Sequence, residues 1–206
     1  MPKVLITIGD AAEAMDTLYP VYRVQEDGYE AVVAGPDARV YPLVMHEIPP
    51  GWDITREQPS YHLEATVAFR DLDPDDYDGL FLTGGRAPEY IRYDRDLIRV
   101  VRHFFAHDKP VAVVCHGAEI VATANVIAGK RMATIPKCQF DIEVCGATFV
   151  DEGCVRSGNM VSGRGWFDQH LYMPEFIRML HAYTAGRRIQ AEAHALRRAV
   201  AVGGRT

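Results

Sequence analysis

The sequence of 206 residues has little of what marks several large classes of protein. It has four cysteines without a C-x-x-C pair, so reduced thiols are expected rather than a disulfide framework. It has a net charge of −6 and no basic block, which argues against nucleic acid as a partner. No apolar run reaches the roughly 18 residues of a membrane span, and the N-terminal segment is too short for a secretion signal. We therefore expect a cytoplasmic protein without a membrane partner.

Strand-like and helix-like segments alternate along the chain, and the hydrophobic content of 48% is ordinary for a globular protein. Apolar β-branched runs predict buried strands, and apolar residues at helical spacing predict helices between them. The order predicts an α/β fold with a doubly wound, mostly parallel sheet, whose sites lie beyond the carboxyl ends of strands. The strands are predicted at Lys3–Ile8, Tyr29–Ala34, Asp76–Thr83, Val111–Val114 and Arg131–Ile135, and the helices at Glu13–Asp27 and Asp94–His107. Short strands, one pair forming a hairpin, are predicted at Ala147–Val150, Cys154–Arg156 and Asn159–Ser162.

Two regions depart from this alternation. Residues 36–75 contain several prolines and are predicted to form an insertion with a small antiparallel excursion at His62–Phe69. Pro20 predicts a kink or break near Tyr19 in the first helix. Near the C-terminus, separate helices are predicted at Met173–Tyr183 and Ala185–Val202. The chain is thus predicted to be a single domain over residues 1–184, with a helical extension over 185–206.

The stretch Val111–Gly129 changes from a strand pattern to a helix pattern that is expected to end at Gly129, and Cys115 lies at the change. A strand that turns sharply into a helix presents the turn residue at the sheet edge, as in a nucleophile elbow. The helix N-terminus favours a thiolate, so we expect Cys115 to be a nucleophile with a lowered pKa. Position alone leaves an inert core cysteine equally open.

The first and third predicted strands bring other polar groups to the same edge. The amides of Gly85 and His116 could form an oxyanion site, with Gly84 beside them. The ring of His116 is not expected to turn back easily to Cys115, although it could act as a general base. Asp16 or Glu13, from the first helix, could reach the thiol and relay protons. A solvated helix face is the alternative for both acids.

At these residues the chain resembles the ThiJ/PfpI family of the class I glutamine-amidotransferase-like superfamily, over roughly Val4–Leu180. The motifs are GGRAPE at Gly84–Glu89, the elbow VAVVCHG with its helix ending AGK, and Asp16 four residues before Pro20. The sequence is most similar to the PfpI-like branch that includes plant glyoxalase III tandem-domain proteins. The resemblance implies a flavodoxin-like sandwich.

The resemblance also implies roles for particular residues. Cys115 corresponds to the nucleophile and His116 to the histidine that follows it. Asp16 corresponds to the acid that hydrogen-bonds the cysteine, usually Glu in relatives, and Glu13 to a second acid of the PfpI branch. Glu89 corresponds to a glutamate that reaches the histidine of a neighbouring subunit, which implies a homo-oligomer, as a dimer, trimer or hexamer.

Two positions depart from the family pattern. Ile135 stands before Pro136 where relatives often carry Tyr or His, so Cys138 is expected to line the pocket instead. His170 falls where the plant branch also has a histidine and is a second candidate base, with a core or surface histidine as the alternative.

The resemblance implies a cysteine-dependent enzyme acting on small reactive aldehydes: a glutathione-independent glyoxalase converting methylglyoxal to lactate, or a related deglycase. No cofactor is expected. The alternatives are a peptidase or amidohydrolase with a Cys115–His116–Glu89 triad, and a redox-sensing or chaperone-like stress protein. No metal is expected either: His103 and His107 share a helix face, but stabilising the helix C-terminus explains them more simply.

Overall fold

Strands and helices alternate in the computed structural model, which describes the backbone of residues 1–203 and the side chains of residues 1–187, Ile189 and Ala193. The strands are β1 (Lys3–Thr7), β2 (Ala12–Glu13), β3 (Glu30–Gly35), β4 (Val40–Glu47), β5 (Arg56–Glu64), β6 (Val67–Ala68), β7 (Gly79–Leu82), β8 (Val111–Val114), β9 (Arg131–Met132), β10 (Thr148–Phe149), β11 (Val155–Ser157) and β12 (Met160–Gly163). The helices are α1 (Ala14–Glu26), α2 (Ala87–Ile91), α3 (Arg95–Ala106), α4 (Gly117–Ala124), α5 (Gln139–Val144) and α6 (Gln169–Gly203).

The main sheet is mostly parallel and doubly wound, as the sequence predicts. Within residues 1–203 its seven strands run in the order β11-β12-β8-β7-β1-β3-β6. Each neighbouring pair is parallel except β11–β12, the predicted hairpin. Because the chain moves outward from β1 first through β3 and later through β7, connections diverge between the carboxyl ends of β1 and β7. Ligand sites of open α/β sheets lie at such a point.

Helices cover both faces of this sheet, which explains why the central strands are apolar on both sides. Helices α1 and α6 pack together on one face, and α3 and α4 pack against β7 and β8 on the other. Phe81 of β7 contacts Phe176 of α6, with ring centroids 6.0 Å apart. All four residues of β8 are fully buried, as expected for a parallel strand between two helical layers.

The insertion over residues 36–75 is organised differently from the prediction. Its antiparallel pair is β4 with β5, which starts before His62, and β2 extends the pair into a separate three-stranded sheet. Strand β6 joins the main sheet instead, as the parallel neighbour of β3. Two prolines lie within the pair, and the register shifts between Pro42 and Val44. Prolines are tolerated at such irregular or edge positions. For this reason the prolines of this region led to a prediction with less strand than the structure has.

The predicted break in the first helix is wrong, because α1 continues through Pro20. Proline removes one backbone donor, the one that would bond the carbonyl of Asp16, and Pro20 is itself buried against the core. Helix α4 ends earlier than predicted, at Ala124, where Asn125 adopts a left-handed φ of 55° as the C-cap. Asn is the main alternative to Gly at this position.

The strand predicted at Arg131–Ile135 is shorter in the structure. Strand β9 covers only Arg131–Met132 and pairs with β10 outside the main sheet.

A single helix, α6, replaces the two helices predicted near the C-terminus. Gly186, close to the junction at Thr184, does not end the helix, and the Thr184 hydroxyl donates to the carbonyl of Leu180 one turn back. Arg187 then forms an ion pair with Asp78, with Nη1 and Oδ1 2.6 Å apart. The helical extension thus continues the domain's last helix, and the end of the predicted extension, residues 204–206, lies outside the described residues. The division at residue 184 stays a prediction.

Candidate active site

Cys115 occupies the strained turn between β8 and α4. Its φ of 54° is left-handed, a region uncommon for residues with a side chain and concentrated at functional sites. Two hydrogen bonds hold the turn: the Cys115 amide donates to the carbonyl of Gly163 at 3.4 Å, and the Thr134 hydroxyl donates to the Cys115 carbonyl at 2.8 Å. The nucleophile-elbow geometry that the sequence predicts is therefore present.

Two backbone amides face the sulfur of Cys115. They belong to Gly85 and His116, and their hydrogen bonds favour the thiolate. Gly85 has a φ of 80°, and a Cβ there would collide with the backbone between Ala11 and Glu13. Only glycine fits this place, so the GG pair brings an amide to the sulfur that a larger residue would hold away.

Gly84 separates Asp16 from Cys115. A Cβ on Gly84 would overlap Asp16 Oδ2 and would lie 2.7 Å from Cys115 Cβ and 3.2 Å from Sγ. The carboxyl and the thiol thus approach the same small residue from two sides. Asp16 Oδ2 is buried without a hydrogen-bond partner, while Oδ1 accepts from Gln169 at 3.5 Å. The shorter side chain of Asp, compared with Glu, leaves this carboxyl close to the sulfur without a hydrogen bond to it.

Asp16 is fully buried, so the alternative of a solvated helix face is wrong for it. Burial raises the pKa of Asp16 well above its usual value, and the negative charge of Glu13 raises it further. A carboxyl in this environment favours its protonated form, which can donate a hydrogen bond or a proton to the sulfur side.

Glu13 is also buried, but its carboxylate is engaged by the backbone. It accepts from the Asp16 amide at 2.6 Å as the N-cap of α1, and from the amides of Met15 and His46. Burial raises the pKa of Glu13, although these three hydrogen bonds act in the opposite direction. The alternative of a solvated face is wrong here too, and the contacts give Glu13 the role of fixing α1 and β4.

The ring of His116 reaches Cys115, contrary to expectation. Nδ1 lies 3.3 Å from Sγ, at the turn where Cys115 has a φ of 54°. Burial lowers the pKa of His116 to about 3, with the charges of Lys137, His46 and Arg86 adding to the effect. His116 is therefore neutral near pH 7 and can accept a proton from the thiol. Its other ring nitrogen, Nε2, is buried without a hydrogen-bond partner.

The expected lowering of the Cys115 pKa is wrong for this arrangement. Burial raises the pKa of the thiol well above its usual value, and the charge of Asp16 acts in the same direction, against the two amides. The protein therefore favours a neutral thiol beside a neutral imidazole. A nucleophile in this state is activated by proton transfer to the base as it attacks.

A cavity of about 530 Å³ opens onto Cys115 and His116. One wall comes from the β4–β5 hairpin and its tip, and the opposite wall from the segments after β9 and β12. The lining residues are His46, Ile48, Asp53, Ile54, Thr55, Cys115, His116, Ile135, Pro136, Lys137, Trp166 and Phe167. Ile135 is among them, but Cys138 lies behind this wall, so the prediction that Cys138 lines the pocket is wrong. A cavity of about 580 Å³ near Met1 and Asp76 is larger but lies away from Cys115.

A model of the DJ-1/PfpI family matches residues 2–179. The chain belongs to the DJ-1/PfpI family. It is 33% identical over 178 residues to a deglycase of Thermococcus kodakarensis, covering 86% of this chain and 99% of the relative. It is 29% identical over 187 residues to protein DJ-1 homolog D of Arabidopsis thaliana, covering 87% of this chain and 47% of that protein.

Solved structures confirm the fold of this DJ-1/PfpI protein. The crystal structure of a ThiJ/PfpI domain protein from Brachyspira murdochii superposes with a TM-score of 0.73 at 15% identity, covering 88% of this chain and 96% of that one. No helix in the described part of the chain is both long and apolar enough to cross a membrane.

Glu89 does not orient His116 within this DJ-1/PfpI chain. It lies in the first turn of α2 and forms an ion pair with Arg86, with Oε2 and Nη2 3.3 Å apart. Its side chain is 31% exposed. The carboxylate therefore faces outward, where another subunit could contact it.

His170 lies at the start of α6 and is exposed, outside the cavity lining. The surface-histidine alternative therefore describes it, rather than a second base. Its neighbour Gln169 is the residue that reaches the site: it is buried and donates to the carbonyl of Met15 at 2.6 Å as well as to Asp16.

Sequence reasoning missed Glu119, which is buried on α4 behind His116. It lies 3.3 Å from Nη1 of Arg92 and accepts a hydrogen bond from the thiol of Cys138 at 3.7 Å. The available signal was one carboxylate in a helix whose other residues are small or apolar, GAEIVATA. For His103 and His107 the structure supports stabilisation of the helix C-terminus, the preferred interpretation, because His107 Nδ1 donates to the His103 carbonyl at the end of α3.

Proposed function

We propose that this protein is a cysteine-dependent enzyme that acts on small reactive carbonyl compounds. The observation that carries the proposal is the contact of Cys115 Sγ with His116 Nδ1 at 3.3 Å, at the base of a cavity and facing two backbone amides. Nucleophile, base and oxyanion donors are the parts that addition to a carbonyl requires. The deglycases among the relatives support a carbonyl substrate.

The first step is addition of the thiol to an aldehyde. As Sγ bonds to the aldehyde carbon, the thiol proton passes to His116 Nδ1, and the carbonyl π electrons move to oxygen. The amides of Gly85 and His116 stabilise that oxyanion. Return of the proton from His116 gives a neutral hemithioacetal, and the base is free again.

With methylglyoxal, the following steps are an internal redox exchange. His116 removes the proton from the carbon bonded to sulfur, and the resulting enediol is reprotonated on the neighbouring carbon. The product is a lactate thioester on Cys115, and Asp16 is placed to carry a proton between the two positions. Water then cleaves the thioester and releases lactate. Methylglyoxal and one water give lactate, so no external oxidant or cofactor is required.

The cavity also admits larger substrates. Its volume of about 530 Å³ lies within the roughly 300–1,000 Å³ of sites for drug-sized ligands. A three-carbon aldehyde fills a small part of it, and the rest could hold a side chain that carries an aldehyde adduct. This favours a deglycase activity on such adducts beside the glyoxalase activity.

The test is lactate formation from methylglyoxal without glutathione, in parallel with release of N-acetylarginine from its methylglyoxal adduct. We expect at least one activity in the wild type and neither in Cys115→Ser. Cys154→Ser is the matched control, because Cys154 lies outside the cavity lining, and it should remain active. Absence of both activities in the folded wild type would refute the proposal.

A second candidate is amide hydrolysis by Cys115, His116 and a Glu89 from a neighbouring subunit. The favouring observation is that His116 Nε2 is buried without a partner while Glu89 faces outward. A homo-oligomer that brings the two together would complete a triad. A peptide amide in the same assay panel tests this activity, and cleavage that depends on both Cys115 and Glu89 would support it.

A further inference from the structure

Three potential metal ligands meet next to the cavity: His116, which is the base of the proposed reaction, and two residues that the reaction does not use, Glu119 and Cys138. One ring nitrogen of His116, one carboxylate oxygen of Glu119 and the sulfur of Cys138 lie within 4.8 Å of one another. All three residues are at least nine-tenths buried. From this geometry we propose that His116, Glu119 and Cys138 form a binding site for a zinc ion.

The free atoms of these side chains are the ones a metal needs. His116 Nε2 is buried without a hydrogen-bond partner, while Nδ1 is held by Cys115 Sγ. The thiol of Cys138 points at Glu119 Oε1, 3.7 Å away. A zinc ion would take the place of that thiol proton and bond Sγ, Oε1 and the unpartnered Nε2.

The donor set and its size suit zinc. Cysteine, histidine and glutamate are all zinc ligands, and bonds of about 2.0–2.3 Å place tetrahedral ligand atoms roughly 3.5 Å apart. The three side chains therefore need to close by about 1 Å, which is within rotamer adjustment. One thiolate and one carboxylate balance the two positive charges of the ion, so a buried site would be neutral.

The surroundings of the ligands also fit. Ligating carboxylates and histidines are oriented by partners on their other polar atom. Glu119 Oε2 has Arg92 Nη1 at 3.3 Å, and the charge of Arg92 is in turn balanced by Asp141 at 3.3 Å. The second ring nitrogen of His116 has Cys115 Sγ.

Zinc would change what His116 does toward Cys115. A neutral imidazole that binds a metal through Nε2 carries its proton on Nδ1, so it would donate to Sγ instead of accepting from it. The metal-bound protein would therefore lack the base of the proposed reaction. Binding of zinc at this site would therefore control whether His116 can accept the proton of Cys115.

No local metal motif is present in the sequence because the ligands come from two elements. His116 and Glu119 flank the first turn of α4, and Cys138 comes from a 3₁₀ turn nineteen residues after Glu119. The spacing matches no short zinc motif, and only the fold brings Cys138 to the other two.

Cobalt absorption tests the site independently of any activity. Protein stripped with a chelator is titrated with Co²⁺, and we expect one equivalent to produce a thiolate-to-cobalt charge-transfer band that Zn²⁺ abolishes by displacement. Cys138→Ser should lose the band. Glu119→Gln should keep the band at saturation but weaken cobalt binding. The loss of affinity should exceed the roughly 10–100-fold that is typical when a residue contacting a metal ligand is replaced.

Cys145→Ser is the matched control, because Cys145 donates to the carbonyl of Ala122 and takes no part in the cluster. It should bind cobalt like the wild type. If Cys138→Ser does not fold, judged by circular dichroism, Glu119→Gln and Cys115→Ser decide the question. Absence of binding to the wild type, a band that survives in folded Cys138→Ser, or a band that disappears in Cys115→Ser would overturn the proposal.

Discussion

Replacing Gly84 with alanine tests the packing of Asp16 against Cys115. The added Cβ would lie 2.7 Å from Cys115 Cβ and would overlap Asp16 Oδ2, whereas carbon atoms in contact are about 3.5–4.0 Å apart. Cys115 must therefore move by about 1 Å. Overpacking of this kind costs about 1–3 kcal/mol. At about 2–4 °C per kcal/mol for a domain of this size, Tm should fall by roughly 2–12 °C.

The same shift should damage the proposed reaction more than it damages the fold. A displacement of about 1 Å at a reacting group costs about 10²-fold in rate, so kcat should fall while most of the protein remains folded at 25 °C. Gly186→Ala is the matched control: its Cβ would meet nothing within 4 Å, and alanine in a helix should raise stability by about 0.5–1 kcal/mol. Thermal unfolding and the methylglyoxal assay supply the two readouts. A Gly84→Ala protein with the Tm and kcat of the wild type would refute this account of the site.

Three further predictions follow from the same contacts. Burial raises the pKa of Asp16, so the stability that the Asp16 carboxyl contributes is complete below its pKa in the unfolded chain and is lost as pH rises through its pKa in the folded protein. The free energy of unfolding of Asp16→Asn should therefore increasingly exceed that of the wild type as pH rises. Denaturant melts at several pH values measure this difference, and a constant difference would contradict the prediction. Asn125→Ala should lower the free energy of unfolding by about 1–2 kcal/mol because Asn125 has a φ of 55°, whereas Asn125→Gly should not, as measured by urea unfolding. Mixing inactive Cys115→Ala with inactive Glu89→Gln should restore about a quarter of wild-type activity if Glu89 acts across a symmetric interface, and no recovery, or full activity of Glu89→Gln alone, would show that it does not.

Local patterns were sufficient for the central strands of the sheet and for the turn that carries Cys115. The buried run Val111–Val114 and the change of period at Cys115 predict a strand, a turn and a helix, and the structure has all three. Such signals are local, since they depend on residues adjacent in the chain. They are weaker at element ends, where Asn125 rather than Gly129 ends the helix, because both residue types accept a left-handed φ.

The errors concern properties that depend on tertiary contacts. Burial raises the pKa of Cys115 while hydrogen bonds from the Gly85 and His116 amides lower it, and only the fold shows that burial prevails. Whether the ring of His116 reaches the sulfur depends on the conformation of the turn at Cys115, which residue types do not reveal. Glu119 and Cys138 form a pair across nineteen residues of sequence. None of these can be obtained from residue types and spacing along the chain.

The hairpin formed by β4 and β5 has a consequence for how substrates are chosen. Five of its residues line the cavity, and they are His46, Ile48, Asp53, Ile54 and Thr55. They lie in or between two strands of a sheet separate from the one that carries Cys115. The proposed nucleophile and this part of the cavity wall are therefore held by different sheets. Exchanging the hairpin tip for that of a relative should alter which carbonyl compounds are accepted, while the rate at which iodoacetamide, a much smaller reagent, labels Cys115 stays within the range of the parent protein. Substrate preference in such a molecule can diverge without rebuilding the nucleophile.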